Sequence, residues 1–186
     1  MNMTVSFDGN FRSTLWTWEE ARDFCTLCLP YVNVLFGIEP YHIWKNEEDH
    51  SAGDVKDGIP FQPDFEQQEK VFRAFADRYP NIKCIARHVR FAHSCSENSL
   101  MAYLWLNGKT YESKRLTFYI LDRVGGGDAF VSGIIYGLMN EYTPEDTVNF
   151  GVAASAVKHT IHGDGNITDD VSMIRHVMEM NFDIKR

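Results

Sequence analysis

Segments of strand period and helix period alternate along this chain, and the alternation constrains its fold more than any other feature of the sequence. "MTVSFDG" alternates into a short buried strand. "TWEEARDFCTLCLPYV" follows as a helix, with Thr17 as N-cap and Glu20 placed to complete a capping box. "VNVLFG" is a second apolar strand, and the polar run from Lys45 to Pro63, with its Gly and Pro, reads as an exposed excursion. "DFEQQEKVFRAFADRY" sets Phe65, Val71, Phe72 and Phe75 near helical spacing, and "NIKCIARHV" is a third strand. Asn107-Gly108 then joins two strand-like runs, a hairpin signal because both residues tolerate positive φ. "LTFYILD", a run of glycines and a helix come next. Another helix opens on Thr143 as cap and Pro144 in its first turn, and a last one covers about Asp169 to Met180. Such alternation predicts an α/β fold, a mostly parallel sheet covered on both faces by helices. The length of 186 residues fits one domain, residues 1–186.

Charge narrows the partners. Against 26 acids stand 18 bases, a formal charge of -8, and no Lys/Arg cluster interrupts the balance, so the chain is poorly suited to neutralising a nucleic-acid backbone. No apolar run reaches the roughly 18–20 residues of a membrane span, and "MNMTVSFDGNFR" lacks the features of a signal peptide, so a cytoplasmic location and no membrane partner are expected. Cys25, Cys28, Cys84 and Cys95 are too sparse for a disulfide scaffold and read as free thiols. Cys25-x-x-Cys28 has no second ligand pair behind it and reads as core packing rather than a zinc site. His159 and His162, near a helix end, read as helix-end cations or surface residues rather than zinc ligands.

The chemistry-bearing stretch is "DRVGGGDAF", Asp122 to Phe130, which runs straight into the apolar "VSGIIYGLM". A helix start leaves its first N–H groups without intrahelical partners and adds positive potential there, which suits an anion. With no Cβ at Gly125, Gly126 and Gly127, the backbone can turn sharply and a phosphate can come close. Asp128 follows in the first turn, within proton-transfer reach of a hydroxyl bound beside the glycines, the position of a general base. One turn would then supply both the base and the donors that phosphoryl transfer needs. The same residues also fit a tight strand-to-helix loop with Asp128 as a cap, and the motif is neither a P-loop nor a dinucleotide fingerprint.

"DRVGGGDAFVSGIIYGL" resembles the C-terminal signature of the ribokinase-like (PfkB) carbohydrate kinases, D-T-x-G-A-G-D followed by a small, apolar helix; Arg123 and Gly126 resemble the 2-keto-3-deoxygluconate kinase branch. "FDGNFRSTLW", "YVNVLFGIE", "IARHVRFAHSCSENS", the hairpin with its "YES", and "HTIHGDGN" are similar to further blocks of that family, in its order. The resemblance implies a ribokinase-like three-layer αβα fold. It also implies ATP-dependent phosphorylation of the terminal hydroxyl of a sugar acid, 2-keto-3-deoxygluconate first, with Mg²⁺ bridging the nucleotide phosphates. Asp128 matches the family's catalytic base, and Gly125, Gly126 and Gly127 its anion hole. Arg12 matches the arginine that meets the sugar-acid carboxylate, a pairing that suits a guanidinium fork. Asp164 falls where the family places an acid near the sugar hydroxyls, although an ordinary turn explains it equally. His88, Arg90, Ser94 and Ser96 lie in the segment that borders the nucleotide.

Two departures qualify the match. Where the family often carries N-x-x-E, this chain has Ile38-Glu39-Pro40-Tyr41, which leaves Glu39 as the acid for an indirect role at the metal. The chain also begins at the "FDGNFR" strand, so the family's N-terminal half, with its lid and many sugar contacts, is expected to be absent. An open apolar sheet edge would result, and the implied partner is the complementary N-terminal half of the kinase. The alternative is a truncated, non-catalytic remnant that keeps ATP binding or only the fold. The acceptor identity and the oligomeric state, a homo-oligomer among the options, stay open.

Overall fold

The computed structural model describes residues 3–38, 64–166 and 171–180. Its elements are β1 (Ser6–Asp8), α1 (Trp18–Cys28), a 3-10 turn (Leu29–Tyr31), β2 (Val34–Phe36), α2 (Phe65–Arg78), β3 (Cys84–Ala92), β4 (Glu97–Leu106), β5 (Lys109–Glu112), β6 (Leu116–Tyr119), α3 (Gly126–Met139), α4 (Pro144–Lys158) and α5 (Val171–Met178). The Lys45–Pro63 run lies outside the described residues. Contacts divide the chain into two compact units, one of Met1–Arg87 with Tyr103–Thr110, the other of His88–Ala102 with Tyr111–Arg186.

The strands are ordered β1-β2-β3-β4-β5, with β6 also on β4. β1 runs parallel to β2, and β2 to β3, while β6 is antiparallel to β4. The turn from β3 to β4 closes as His93 and Ser94 N–H donate to Glu97 O. Asn107 (φ 49) and Gly108 (φ 91) make the two-residue turn from β4 to β5 that their sequence predicts. Among the described strands β4 therefore runs against the rest, and the α/β class with a mostly parallel strand direction stands. In the first unit Arg87 Nη1 donates to Gln68 Oε1 of α2 at 2.8 Å, and in the second the His88 ring lies 4.9 Å from that of Phe130 in α3.

In the first unit, α1 opens with the capping box read from Thr17 and Glu20, and α2 is capped by Asp64. Phe72, Phe75, Leu35, Phe36, Ile85 and Ala86 form its core, each at most 2% exposed. Cys25 is buried with them, and none of the four cysteines is in a disulfide. The expectation of a buried first strand does not hold. β1 is the end strand of the order, and Val5 just before it is 38% exposed, because a strand with a partner on one side has too few neighbours to cover it.

In the second unit, Ala102 of β4 exchanges bonds with Ser113 while Leu100 already faces Leu116, so the β5–β6 side carries one extra residue, a bulge. The Ser113 hydroxyl takes the Ala102 N–H at 2.8 Å in place of a carbonyl. α4 is buried along almost its whole length, and α3 approaches it closely: a Cβ on Gly133 would sit 2.8 Å from Gly151 Cα. Thr143 and Pro144 start α4 as their sequence predicts. Among the described residues, no helix is long and apolar enough to cross a membrane.

Candidate functional site

The glycine stretch forms a corner between β6 and α3, and each glycine is there for a different reason. Gly125 is the N-cap of α3 with φ 77, a left-handed conformation that disfavours a Cβ. Gly126 is needed for packing, since a Cβ there would lie 2.4 Å from His159 Cε1. At Gly127 a Cβ would meet nothing within 4 Å, so the fold itself gives no reason for a glycine there. Intrahelical bonding begins with Ala129 N–H, which donates to Gly125 O at 2.9 Å. The amides of Gly126, Gly127 and Asp128 therefore have no intrahelical acceptor, and Gly125 offers no side chain to cap them. Asp128, the third residue of the helix, is exposed beside Gly127.

The end of α4 lies directly beneath this corner. Ser155 Oγ donates to Gly126 O at 2.8 Å, and Leu121 and Asp122 N–H both donate to His159 O. His159 is 5% exposed, which corrects its reading as a helix-end cation or surface residue. Burial is the main cause of its lowered pKa, and the nearby charges of Arg90, Lys158 and Arg123 push the same way. Its Nδ1 lies 2.7 Å from Ser155 O, and since a carbonyl only accepts, that nitrogen carries the proton. His162 is exposed as expected.

Asp122 ties the corner to the loop after α4. Its Oδ1 accepts Val124 N–H at 3.0 Å and its Oδ2 accepts Gly163 N–H at 2.8 Å. These bonds, Val124 first, hold its carboxyl below the usual carboxylate range, with a smaller contribution from the Lys158 charge. Asp164, next in that loop, brings its backbone O to 3.1 Å from where a Gly125 Cβ would be, so it borders the corner. Arg123 Nη2 donates to Cys95 O at 3.1 Å, which fastens the 93–96 turn to the same neighbourhood. In that turn Ser94 Oγ accepts from Ser96 and Glu97 N–H, so its acceptor side is already used, and Ser96 O accepts from Ile120 N–H. Arg90 is exposed on β3 and near enough to His159 to affect its titration.

Gly125–Gly127, Asp128, Asp164, Arg90, Ser94 and Ser96 thus fall in the second unit. Arg12 belongs to the first, where its Nη1 donates to Phe11 O at 3.1 Å, and Glu39 lies outside the described residues. Sequence reasoning missed Asp122, Ser155 and Lys158 as parts of the site. The signal available for Lys158 was a lone cation closing the small, apolar run "GVAASAV". Among the described residues no group of three or more His, Cys, Asp or Glu is placed to hold a metal.

Residues 102–170 match the model of the pfkB family carbohydrate kinase. A 2-dehydro-3-deoxygalactonokinase of Haloferax volcanii is 29% identical over 161 residues, 87% of this chain and 43% of that protein. The crystal structure of the 2-dehydro-3-deoxygluconokinase of Thermotoga maritima superposes with a TM-score of 0.79 at 30% identity, over 95% of this chain and 50% of that one. A candidate ribokinase II from E. coli, solved with ATP and Mg²⁺, has a TM-score of 0.64 at 15% identity over 96% of this chain and 49% of that one, a likeness of fold alone. The chain spans about half the length of these relatives.

Proposed function

The chain is a relative of the ribokinase-like (pfkB) carbohydrate kinases, its resemblance running to the 2-keto-3-deoxygluconate kinase branch, and from that premise we propose that it takes part in phosphoryl transfer from ATP to a sugar acid. The acceptor proposed is 2-keto-3-deoxygluconate, with its terminal hydroxyl as the attacking group. The observation that carries the reading is the uncapped start of α3, where open space at Gly127 adjoins the exposed Asp128.

In this mechanism Asp128 takes the proton of the acceptor hydroxyl as its oxygen attacks the γ-phosphorus, and the bond to the nucleotide's bridging oxygen breaks. The corner amides meet the charge on the transferring oxygens, so donors and base move as one rigid piece of backbone. Asp164 would bind acceptor hydroxyls, while Arg90, Ser94 and Ser96 would border the nucleotide. Mg²⁺ would neutralise charge on the nucleotide phosphates; the described residues offer it no ligand cluster, so no residue here is assigned to it and no step is routed through it.

Two features support a complementary half as partner. The relatives are about twice as long, and the first unit exposes large apolar side chains, Leu15 at 79%, Leu27 at 73% and Tyr31 at 74%. The test is sugar-acid phosphorylation by this chain supplied with an N-terminal half from a relative. Asp128→Asn is expected to lower turnover by about 10²–10⁴-fold while ATP binding is retained. Undiminished turnover in that variant removes Asp128 from the chemistry. If the wild-type pair phosphorylates no sugar acid, the chain is a remnant that keeps the fold.

A further inference from the structure

Lys158 is 1% exposed, although lysines are seldom fully buried unless paired. Its Nζ donates to Gly163 O at 2.7 Å and to Ile161 O at 3.3 Å, and its Cε lies 3.1 Å from where a Gly125 Cβ would be. The acceptor loop returns to the corner through Asp122, which takes the Gly163 N–H on one oxygen and the Val124 N–H on the other. Lys158, Gly163, Asp122 and Val124 are thus linked in sequence, and Val124 immediately precedes the left-handed Gly125. An ammonium aimed at two carbonyls and shut off from solvent is poorly placed to be a phosphate ligand. It is well placed to hold the 161–163 turn against the helix start.

We propose that Lys158 and Asp122 form a clasp that positions the glycine corner, so that both are positioning residues for the anion rather than ligands of it. The inference rests on the reading of that corner as a phosphate site. Through the clasp, Lys158 fixes the loop that carries Asp164, and Asp122 fixes the backbone entering Gly125, which aims the amides of Gly127 and Asp128. Without the ammonium the carbonyls of Gly163 and Ile161 would lose its hydrogen bonds, and Asp122 the smaller support of its charge.

Asp122→Asn gives the sharper test, because Asp122 is only partly buried and the change preserves volume. Asparagine keeps one acceptor oxygen and sets an NH₂ where the second was, so one of the two amide bonds is lost. Simple electrostatics predicts that removing this negative charge tightens binding of an anion. The clasp predicts the reverse. With inorganic pyrophosphate as probe, titrated calorimetrically against the 186-residue chain, Asp122→Asn is expected to weaken binding at least about tenfold, the loss of roughly one hydrogen bond to a charged group. Hydrogen exchange of the Val124 or Gly163 amide should quicken by a similar factor while the Ala153 amide, in the middle of α4, keeps its protection. Lys158→Met should weaken pyrophosphate likewise, and Lys158→Arg should restore part of the loss; the Asp122→Asn result stands whether or not Lys158→Met folds. Pyrophosphate bound as tightly by Asp122→Asn as by the wild type, or unchanged exchange at both amides, overturns the clasp alone. A wild-type chain that binds no pyrophosphate overturns the phosphate reading of the corner and the positioning role with it.

Discussion

Helices α1 and α3 both begin with amides that no intrahelical carbonyl can accept, and the two starts treat them differently. At α1 the Thr17 hydroxyl takes the Glu20 N–H at 3.2 Å, and the Glu20 carboxylate takes the Thr17 N–H at 2.9 Å. Glu20 is held below the usual carboxylate range by those bonds to Thr17. At α3 the capping position is a glycine, and the polar groups nearby serve other bonds: Asp122 holds Val124 and Gly163, and Ser155 holds the carbonyl of Gly126. The first start is satisfied by its own sequence. The second is held rigid from below and left open above, which is the condition for meeting a ligand's oxygens without rearrangement.

If rigidity from below is what distinguishes the α3 start, disturbing the floor should have the largest effect on folding. Gly126→Ala places a methyl 2.4 Å from His159 Cε1, and the imidazole cannot simply swing aside while Nδ1 is tied to Ser155 O. A loss of about 1–3 kcal/mol is expected, the usual cost of overpacking a filled site, measured as a lower midpoint in urea at constant slope. A stability within error of the wild type would show that His159 is not a fixed support. Thr17→Ala comes next, at about 1 kcal/mol, the ordinary value of an N-cap hydroxyl. Its effect should be confined to folding, since α1 closes its own amides and no ligand is needed to complete them.

Acid should separate the two starts by the order in which they weaken, with an effect below that of deleting a cap because the carboxylates are solvent-screened. His159 has a folded pKa below its ordinary 6.5, so as pH falls through 6.5 the unfolded chain takes up a proton that the folded one resists, and stability declines from there toward the folded value. Glu20 and Asp122 are also depressed, below 4.5 and 3.8, so their contributions are complete above those values and are lost only as pH falls through their folded pKa values. The floor of the α3 corner is therefore expected to loosen first. Histidine Cε1 proton shifts and amide exchange at Gly126, followed from pH 7 to 5, would check this; earlier loosening at Glu20 would reverse the comparison.

How much of this was legible in the sequence follows from the range of the interactions. Thr17 with Glu20, Thr143 with Pro144, and Asn107 with Gly108 were readable because each device closes within a few residues and depends on backbone geometry alone. The glycine stretch was readable as a corner, but its three separate reasons were not, since only packing tells Gly126 from Gly127. His159 and Lys158 misled or went unnoticed because a charged or titratable residue at a helix end is ordinarily solvated, and here tertiary contact buries it. β1 was read as buried from its alternation, yet alternation reports which residues share a face, not whether a neighbour covers them. The roles expected for Arg12 and Glu39 rest on resemblance, with the first in the other unit and the second outside the described residues.

The smallest expected effect on folding is also the most discriminating. Gly127→Ala adds a methyl where nothing lies within 4 Å, at a helical position without positive φ, so the folded state meets no clash and the unfolded state loses freedom. Stability should stay unchanged or rise by at most about 1 kcal/mol. If α3 is merely a helix that begins after a tight turn, the substitution is silent in every assay. If the space beside Gly127 admits a phosphate, the methyl stands in its path, and pyrophosphate affinity should fall on the order of tenfold, equal to about 1.4 kcal/mol, with folding untouched. A protein more stable and less able to bind would tie the glycine to the ligand, because the fold gives it no other task. A protein equally able to bind would leave the start of α3 open but unoccupied by phosphate, and the contrast with α1 would then reflect packing alone.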